Sequence, residues 1–438
     1  MNDTPARFRS LGRNQLARIP QLDRLDPDLR RGIEAAANVL PFKVNPYVLD
    51  ALIDWDRVPD DPMFQLTFPQ PGMLSDGALR EMRELLDTGA PRAEIDALAN
   101  RIRAGLNPHP AGQLTLNVPQ DGDETVPGMQ HKYAETLLYF PRAGQTCHTY
   151  CTYCFRWPQF VGPVEQRLRG GPPEQLAGYV AAHPELRSVL FTGGDPMVMR
   201  TDMLRRFIEP LLAVDHLTSI RFGTKAMSYW PSRFTEGDDA DDLMRLFEDI
   251  VAAGKHVAVM AHFSHPRELA PQAAKDAIRR SRSAGAVIRA QCPMIHRVND
   301  DAATLSEMYR EQVRLGVIPY YLFVERDTGP RGYFEVPLAR ALSVFQKTYR
   351  TLSGLGRTLR GPVMSCTPGK VAVRGTAIVG GQRAFVLEML QARDPSWTGR
   401  PFFAKFDPNA TWIDELTPLD APFPWQEPPS QRSLSVVS

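Results

Sequence analysis

The sequence has almost no net charge, few cysteines and no long apolar run. Its 51 Lys and Arg against 50 Asp and Glu leave a formal charge of +1, so bulk charge offers no surface for nucleic acid or an anionic membrane. No stretch approaches the roughly 20 apolar residues that cross a bilayer. Met1 to Leu16 is polar and basic and lacks the apolar centre of a secretory signal, so cytoplasmic residence is expected. Five cysteines in 438 residues make no disulfide framework, and none lies beyond Cys366. The remaining balance, 43% hydrophobic and 23% charged residues, is that of a soluble globular protein. The length suffices for one large domain with additions or for two to three ordinary ones.

Periodicity divides the chain into zones. Residues 1–130 are helical and punctuated by proline: 30–38, 46–52, 76–86 and 94–106 mix apolar and charged residues at helical spacing. They hold no chemical motif and suit an arm, a lid or an oligomer contact. Residues 131–370 alternate short apolar runs, at 137–140, 188–191, 219–222, 256–261, 286–290 and 317–323, with helical patterns at 203–212, 241–253, 271–284 and 303–315. Pro271 suits the first position of its helix. Such repetition predicts parallel strands joined by right-handed crossovers. Six units are too few for a closed eight-stranded barrel, so an α/β fold is expected, a (β/α)6 partial TIM barrel. Residues 371–420 predict an appended C-terminal hairpin, with 371–379 and 383–390 flanking the turn signal Gly380-Gly381. Residues 421–438, rich in Pro and Ser, are expected to be disordered.

Three cysteines fall within eight residues, Cys147-His-Thr-Tyr-Cys151-Thr-Tyr-Cys154. Most iron–sulfur clusters take four thiolates. Three leave one iron open, and an open position distinguishes a reactive metal site from a closed one. The C-x3-C-x2-C spacing resembles the signature of the radical S-adenosylmethionine (SAM) superfamily. That resemblance implies a [4Fe–4S] cluster on Cys147, Cys151 and Cys154. The methionine part of SAM would chelate the fourth iron, and an electron would cleave SAM to a 5′-deoxyadenosyl radical. Three buried cysteines, or a zinc site borrowing His148, are the alternatives.

In parallel α/β barrels chemistry sits beyond the carboxyl ends of the strands. Polar or permissive groups follow each predicted strand here. The cysteine loop follows the first, Thr192-Gly193-Gly194-Asp195 the second and Thr224-Lys225 the third. His262, Gln291 and Arg326 follow the fourth, fifth and sixth. The glycine pair lets backbone approach a ligand closely. Taken singly, these are an ordinary turn, a satisfied core histidine and a helix cap. Their shared location is what points to a site.

Several segments in order then resemble the lysine 2,3-aminomutase family over about residues 39–400. They are Leu40-Pro-Phe-Lys-Val-Asn-Pro-Tyr47, Pro127-Gly-Met-Gln-His131-Lys-Tyr133, the cysteine run, Phe191-Thr-Gly-Gly-Asp195, His262-Phe-Ser-His265-Pro266, Arg297-Val-Asn299-Asp300, Pro319-Tyr-Tyr321 and Pro368-Gly-Lys370. The resemblance implies pyridoxal 5′-phosphate (PLP) beside the cluster and migration of an amino group from C2 to C3. Lys370 matches the lysine that forms the internal aldimine with PLP; a solvated loop lysine is the alternative. Gly193, Gly194, Asp195, His262 and Gln291 fall where cofactor contacts are expected. Lys132 and Tyr133 match the region that clasps PLP, with Lys132 in place of an arginine and Thr136 where another phosphate-binding arginine is usual. Arg156 matches the group holding the substrate α-carboxylate, a task suited to a bidentate guanidinium.

Lysine-specific members hold the distal ammonium with two aspartates. By a gapless count from Pro319-Tyr320-Tyr321 to Pro337, the first is Arg326 here. The second falls where this chain has Ser365-Cys366-Thr367. A cation in place of an anion favours an acidic or amidic substrate such as glutamate. Alternatives are pairing of Arg326 with Glu325 or Asp327, and Asp327 itself taking the aspartate's part. A lysine 2,3-aminomutase acting on free or protein-bound lysine, a radical SAM/PLP enzyme with a non-rearranging outcome, and a non-enzymatic iron–sulfur protein are the other readings. The expected partners are a small-molecule amino acid, an external electron donor of flavodoxin or ferredoxin type and further copies of the chain, without nucleic acid or membrane. No C-terminal zinc site is expected.

Overall fold

The computed structural model describes residues 9–426. Residues 427–438, most of the expected disordered tail, lie outside the described residues. Within that predicted tail, Phe423 is buried and packs on Phe402 and Trp425, so its first part is folded against the C-terminal core.

One sheet of eleven strands organises the chain, each strand beside its sequence neighbour. In chain order they are β1 (Met129–Tyr133), β2 (Thr136–Tyr139), β3 (Ser188–Phe191), β4 (Ser219–Thr224), β5 (His256–His262), β6 (Val287–Met294), β7 (Ile318–Val324), β8 (Arg360–Ser365), β9 (Gly369–Val379), β10 (Gln382–Ala392) and β11 (Pro401–Lys405). Strands β2 to β8 pair in parallel, and β1 and β9–β11 pair antiparallel. The parallel set therefore has seven members, not the expected six. Arg360–Ser365 was missed because Gly361-Pro362 interrupts its apolar run, and proline is depleted inside strands. The hairpin β9–β10 turns at Gly380-Gly381, both at positive φ, as a two-residue turn of this hand requires. It is not an appendage, because β9 pairs with β8 and carries the sheet onward.

Helices cross between the parallel strands: α4 (Pro173–Ala182), α5 (Thr201–Leu212), α6 (Asp238–Ala252), α7 (Gln272–Ser283), α8 (Ala302–Arg314) and α9 (Leu338–Thr351). Pro271 is the cap of α7 rather than its first residue. Alternation along the strands sorts the side chains. Val189, Phe191, Ile220, Phe222, Val257 and Val259 are buried in the core that includes helix residues Leu204, Leu243 and Phe247. Leu190, Thr192, Arg221, Gly223, Met260 and His262 take the intervening positions and line a cavity on the other face.

The N-terminal zone contributes α1 (Pro27–Val39), α2 (Asp76–Asp87) and α3 (Arg92–Ala104). Its apolar residues share a core with Tyr153, Tyr229, Ile295, Val298 and Phe334, residues of the loops and turns that follow the strands. The zone is therefore packed onto the carboxyl end of the sheet. Among the described residues no helix is long and apolar enough to cross a membrane.

Candidate active site

A cavity of about 480 Å³ opens at the carboxyl ends of the parallel strands. Its lining includes Cys147, Cys151 and Cys154, Gly193 and Gly194, His262, Gln291, Arg326, Lys132, Tyr133 and Lys370. Residues from 132 to 370 thus converge on one space. Gln291 lies within β6 and His262 ends β5, so these two project from strands rather than from the loops after them.

The cysteine loop is clamped by backbone and side chains of the N-terminal zone. Tyr150 N donates to Lys43 O at 2.8 Å and Thr152 N to Leu66 O at 3.0 Å. The Asn45 amide donates to Thr149 Oγ1 at 3.0 Å and to Tyr229 O at 2.8 Å, while its oxygen accepts from Val48 N. The zone assigned no chemistry from sequence thereby fixes the loop that carries it. On the opposite side, a Cβ added to Gly194 would lie 2.3 Å from Thr146 O. Glycine there lets the Thr192–Asp195 turn close on the cysteine loop.

Asp195 lines the cavity and also braces the loops around it. Its buried carboxylate accepts from Thr224 Oγ1 at 2.7 Å, Lys225 N at 2.9 Å and Met197 N at 2.9 Å, and lies 3.1 Å from His148 Nε2. It ties three loops together. Lys225 is likewise engaged: its ammonium pairs with the fully buried Glu268 at 2.5 Å and donates to His262 O at 3.3 Å. Burial and then Lys225 push the His262 imidazole well below its ordinary pKa, so it is neutral.

The donor set suits the groups implied by the sequence. Burial pushes the Cys151 thiol up to about 11 and the Cys154 thiol to about 12, so a bound metal is what would hold them as thiolates. Among the described residues the three sulfurs do not all lie within 4.8 Å of one another, as ligands of a single tetrahedral ion would.

Lys370 is the second residue of β9, its amine beside two tyrosine rings, 4.6 Å from the Tyr133 centroid and 5.5 Å from that of Tyr321. Its ammonium donates to Gln391 Oε1 at 2.5 Å. Burial first, then Lys132, Arg221 and Arg360, lower its pKa to about 7. A lysine so placed is a nucleophile near neutral pH. Lys132 is also lowered to about 7, chiefly by burial, and donates to Cys366 O.

Two guanidinium groups flank one ring. Arg156 lies 4.9 Å and Arg326 5.1 Å from the Phe155 centroid, and each keeps a buried nitrogen without a partner, Nη1 of Arg156 and Nη2 of Arg326. Arg326 is steadied on its other side by Trp412 and by a 3.4 Å contact with Asp327. Asp327 itself lines a separate 370 Å³ pocket with Asp414 and Glu415, outside the main cavity. Glu325 faces the main cavity, and burial raises its carboxyl well above the usual range.

Arg221 was missed from sequence. It lies on β4, lines the cavity and has a buried Nε without a partner. The signal was present: a charge between Ile220 and Phe222 in a strand must occupy the face opposite the core.

The arrangement has relatives of known kind. Across 418 residues, 95% of this chain and 96% of the relative, the sequence is 28% identical to an Aquifex aeolicus protein provisionally named L-lysine 2,3-aminomutase. L-lysine 2,3-aminomutase of Fusobacterium nucleatum is 25% identical over 227 residues, 52% of this chain and 50% of the relative. That of Escherichia coli is 27% identical over 235 residues, 54% and 65%. The chain is thus similar to the lysine 2,3-aminomutase family over nearly its whole length. No family model matches it. Members of the lysine 2,3-aminomutase family are radical SAM isomerases that use a [4Fe–4S] cluster, SAM and PLP.

Proposed function

We propose that this protein is an amino acid 2,3-aminomutase whose substrate carries a second carboxylate, as glutamate does. The observation that carries this reading is the pair Arg156 and Arg326 on one phenylalanine ring, each with an unmet buried N–H. Burial lowers the Arg156 pKa to about 10; Cys154 opposes that shift, and the like charge of Arg326 adds to it. A dicarboxylate offers each guanidinium a charge-assisted partner and removes that repulsion. A lysine ammonium at Arg326 would meet a like charge instead.

When bound, the cluster and SAM supply a hydrogen-abstracting radical, and PLP supplies the electron sink on which the amine travels. Cys147, Cys151 and Cys154 would hold the cluster, while Gly193, Gly194, His262 and Gln291 line the space for SAM. Lys370 offers the amine for PLP; Lys132 and Tyr133 flank it, and Arg221 adds a cation where Thr136 brings none. Asp195 positions the loops. The finer architecture is read as a (β/α)6-type partial barrel widened by a seventh parallel strand, β8, and served by three zones, the N-terminal clamp, the barrel and the PLP-site hairpin.

A second reading is favoured by one observation: Glu325 faces the cavity near Arg326. Ionised by an incoming ammonium, it would serve lysine, the substrate in the relatives' names. The test compares glutamate and lysine turnover in the wild type and in Arg326→Asp, with product connectivity read by NMR. The acidic reading expects glutamate to lead in the wild type and to fall by about 30-fold or more in the variant, the loss of a buried charge pair costing ~2–5 kcal/mol. Faster turnover of lysine by the wild type refutes it.

A further inference from the structure

A second concavity, of about 760 Å³ and open to solvent, lies between the N-terminal zone and the cysteine loop. Arg13, Arg18, Arg103 and Arg167 line it, against a single lining carboxylate, Asp96, which is already paired with Arg92. Arg103 is engaged by Asn38 O and Val39 O. Arg167 keeps a buried Nε without a partner, and Arg18 is exposed. The cations crowd one another: after burial, the largest influence lowering Arg103 is Arg13, and that lowering Arg13 is Arg92.

The floor of this concavity connects it to the cluster ligands. Tyr150, adjacent to Cys151, stacks on Phe160 with ring centroids 4.3 Å apart, and both rings line the concavity. Phe160 also lines the active cavity, so a single aromatic layer separates the two spaces. Lys43 sits 4.7 Å over the Tyr150 ring and donates to Thr146 Oγ1 beside Cys147 at 2.6 Å.

We propose that this arginine-lined concavity is the docking surface for an acidic one-electron carrier protein that reduces the cluster. The inference rests on the cluster reading of Cys147, Cys151 and Cys154. One electron leaves the carrier's reduced group, which is oxidised by one unit, and enters the cluster, which passes from the 2+ to the 1+ state. No bond or proton moves in that transfer. A shallow, charged surface suits a brief redox encounter, whose interfaces are small and whose association is steered by charge. The Tyr150–Phe160 layer places a docked carrier beside the loop that carries the cluster ligands.

The test uses reconstituted holoenzyme and an acidic flavodoxin. Binding of the oxidised flavodoxin is measured by calorimetry, and cluster reduction by the reduced flavodoxin is followed by EPR. Arg13→Glu/Arg18→Glu is expected to weaken binding and slow reduction by about tenfold or more at low ionic strength, where screening is least. Arg245→Glu on the remote helix α6 is expected to change neither. Dithionite, a small reductant that needs no docking, should reduce the cluster equally in all three proteins, and this arm reports the cluster reading by itself. Wild-type binding and reduction rates in the double variant would overturn the proposal, as would an equal loss in Arg245→Glu.

Discussion

Gln391→Glu places a carboxylate against Lys370, the amine proposed to take PLP. Lys370 Nζ lies 2.5 Å from Gln391 Oε1, so the introduced charge meets the ammonium at contact distance. With a pKa of about 7, roughly half of the Lys370 amines are deprotonated at neutral pH, against about one in 3,000 for an ordinary lysine. An opposite charge favours the protonated form and moves the pKa upward. At an effective dielectric of ~20, unit charges ~4 Å apart attract by ~4 kcal/mol, and one pKa unit corresponds to ~1.4 kcal/mol. Part of that attraction is offset by desolvation of the new carboxylate, which leaves a rise of about two units. Stopped-flow absorbance, with apoprotein mixed with PLP across a pH series, reports the midpoint of the capture rate. Borohydride reduction followed by peptide mapping shows which lysine is labelled. The wild type is expected to show a midpoint near 7 with the label on Lys370. In Gln391→Glu the midpoint should rise by about two units, with capture at neutral pH slowed about fiftyfold. A wild-type midpoint at the ordinary lysine value would refute the reasoning, and so would an unmoved midpoint in the variant or a label on Lys225.

Changing Cys147, Cys151 and Cys154 together to Ala should abolish iron and sulfide incorporation on anaerobic reconstitution, as measured by metal and sulfide analysis; full incorporation would contradict the assignment. Asn45→Ala removes two donated bonds and one accepted bond that hold the cysteine loop and the Tyr229 carbonyl. At about 1 kcal/mol for each buried hydrogen bond, it should lower unfolding stability by ~2–3 kcal/mol in chemical denaturation and accelerate cluster loss to a chelator; unchanged stability would show the clamp to be dispensable.

Much of the scaffold was legible because its signals are local. The runs at 188–191 and 219–222 reappear as β3 and the body of β4, since a strand buried on its helix side must alternate. The Gly380-Gly381 turn was readable because two consecutive positive φ angles demand glycine. The cysteine spacing is likewise a property of the chain alone, and so is the order of polar groups along it. What the sequence could not determine depends on approach through space. Whether Arg326 or Asp327 lines the main cavity turns on one residue of rotation past the end of β7, and only the packing of Arg326 by Phe155 and Trp412 decides it. The lowered pKa of Lys370 comes from burial and from Lys132, Arg221 and Arg360, residues distant in sequence that the sheet gathers. That Asp195 also braces the site is invisible in sequence, because Thr224, Lys225 and His148 come to it from other loops. The N-terminal zone carries no chemical motif of its own, since much of its contribution to the cysteine loop is backbone carbonyls, with the Asn45 amide and the Lys43 ammonium beside them. Backbone groups have no sequence signature, so their role exists only once the chain has folded over the mouth of the sheet.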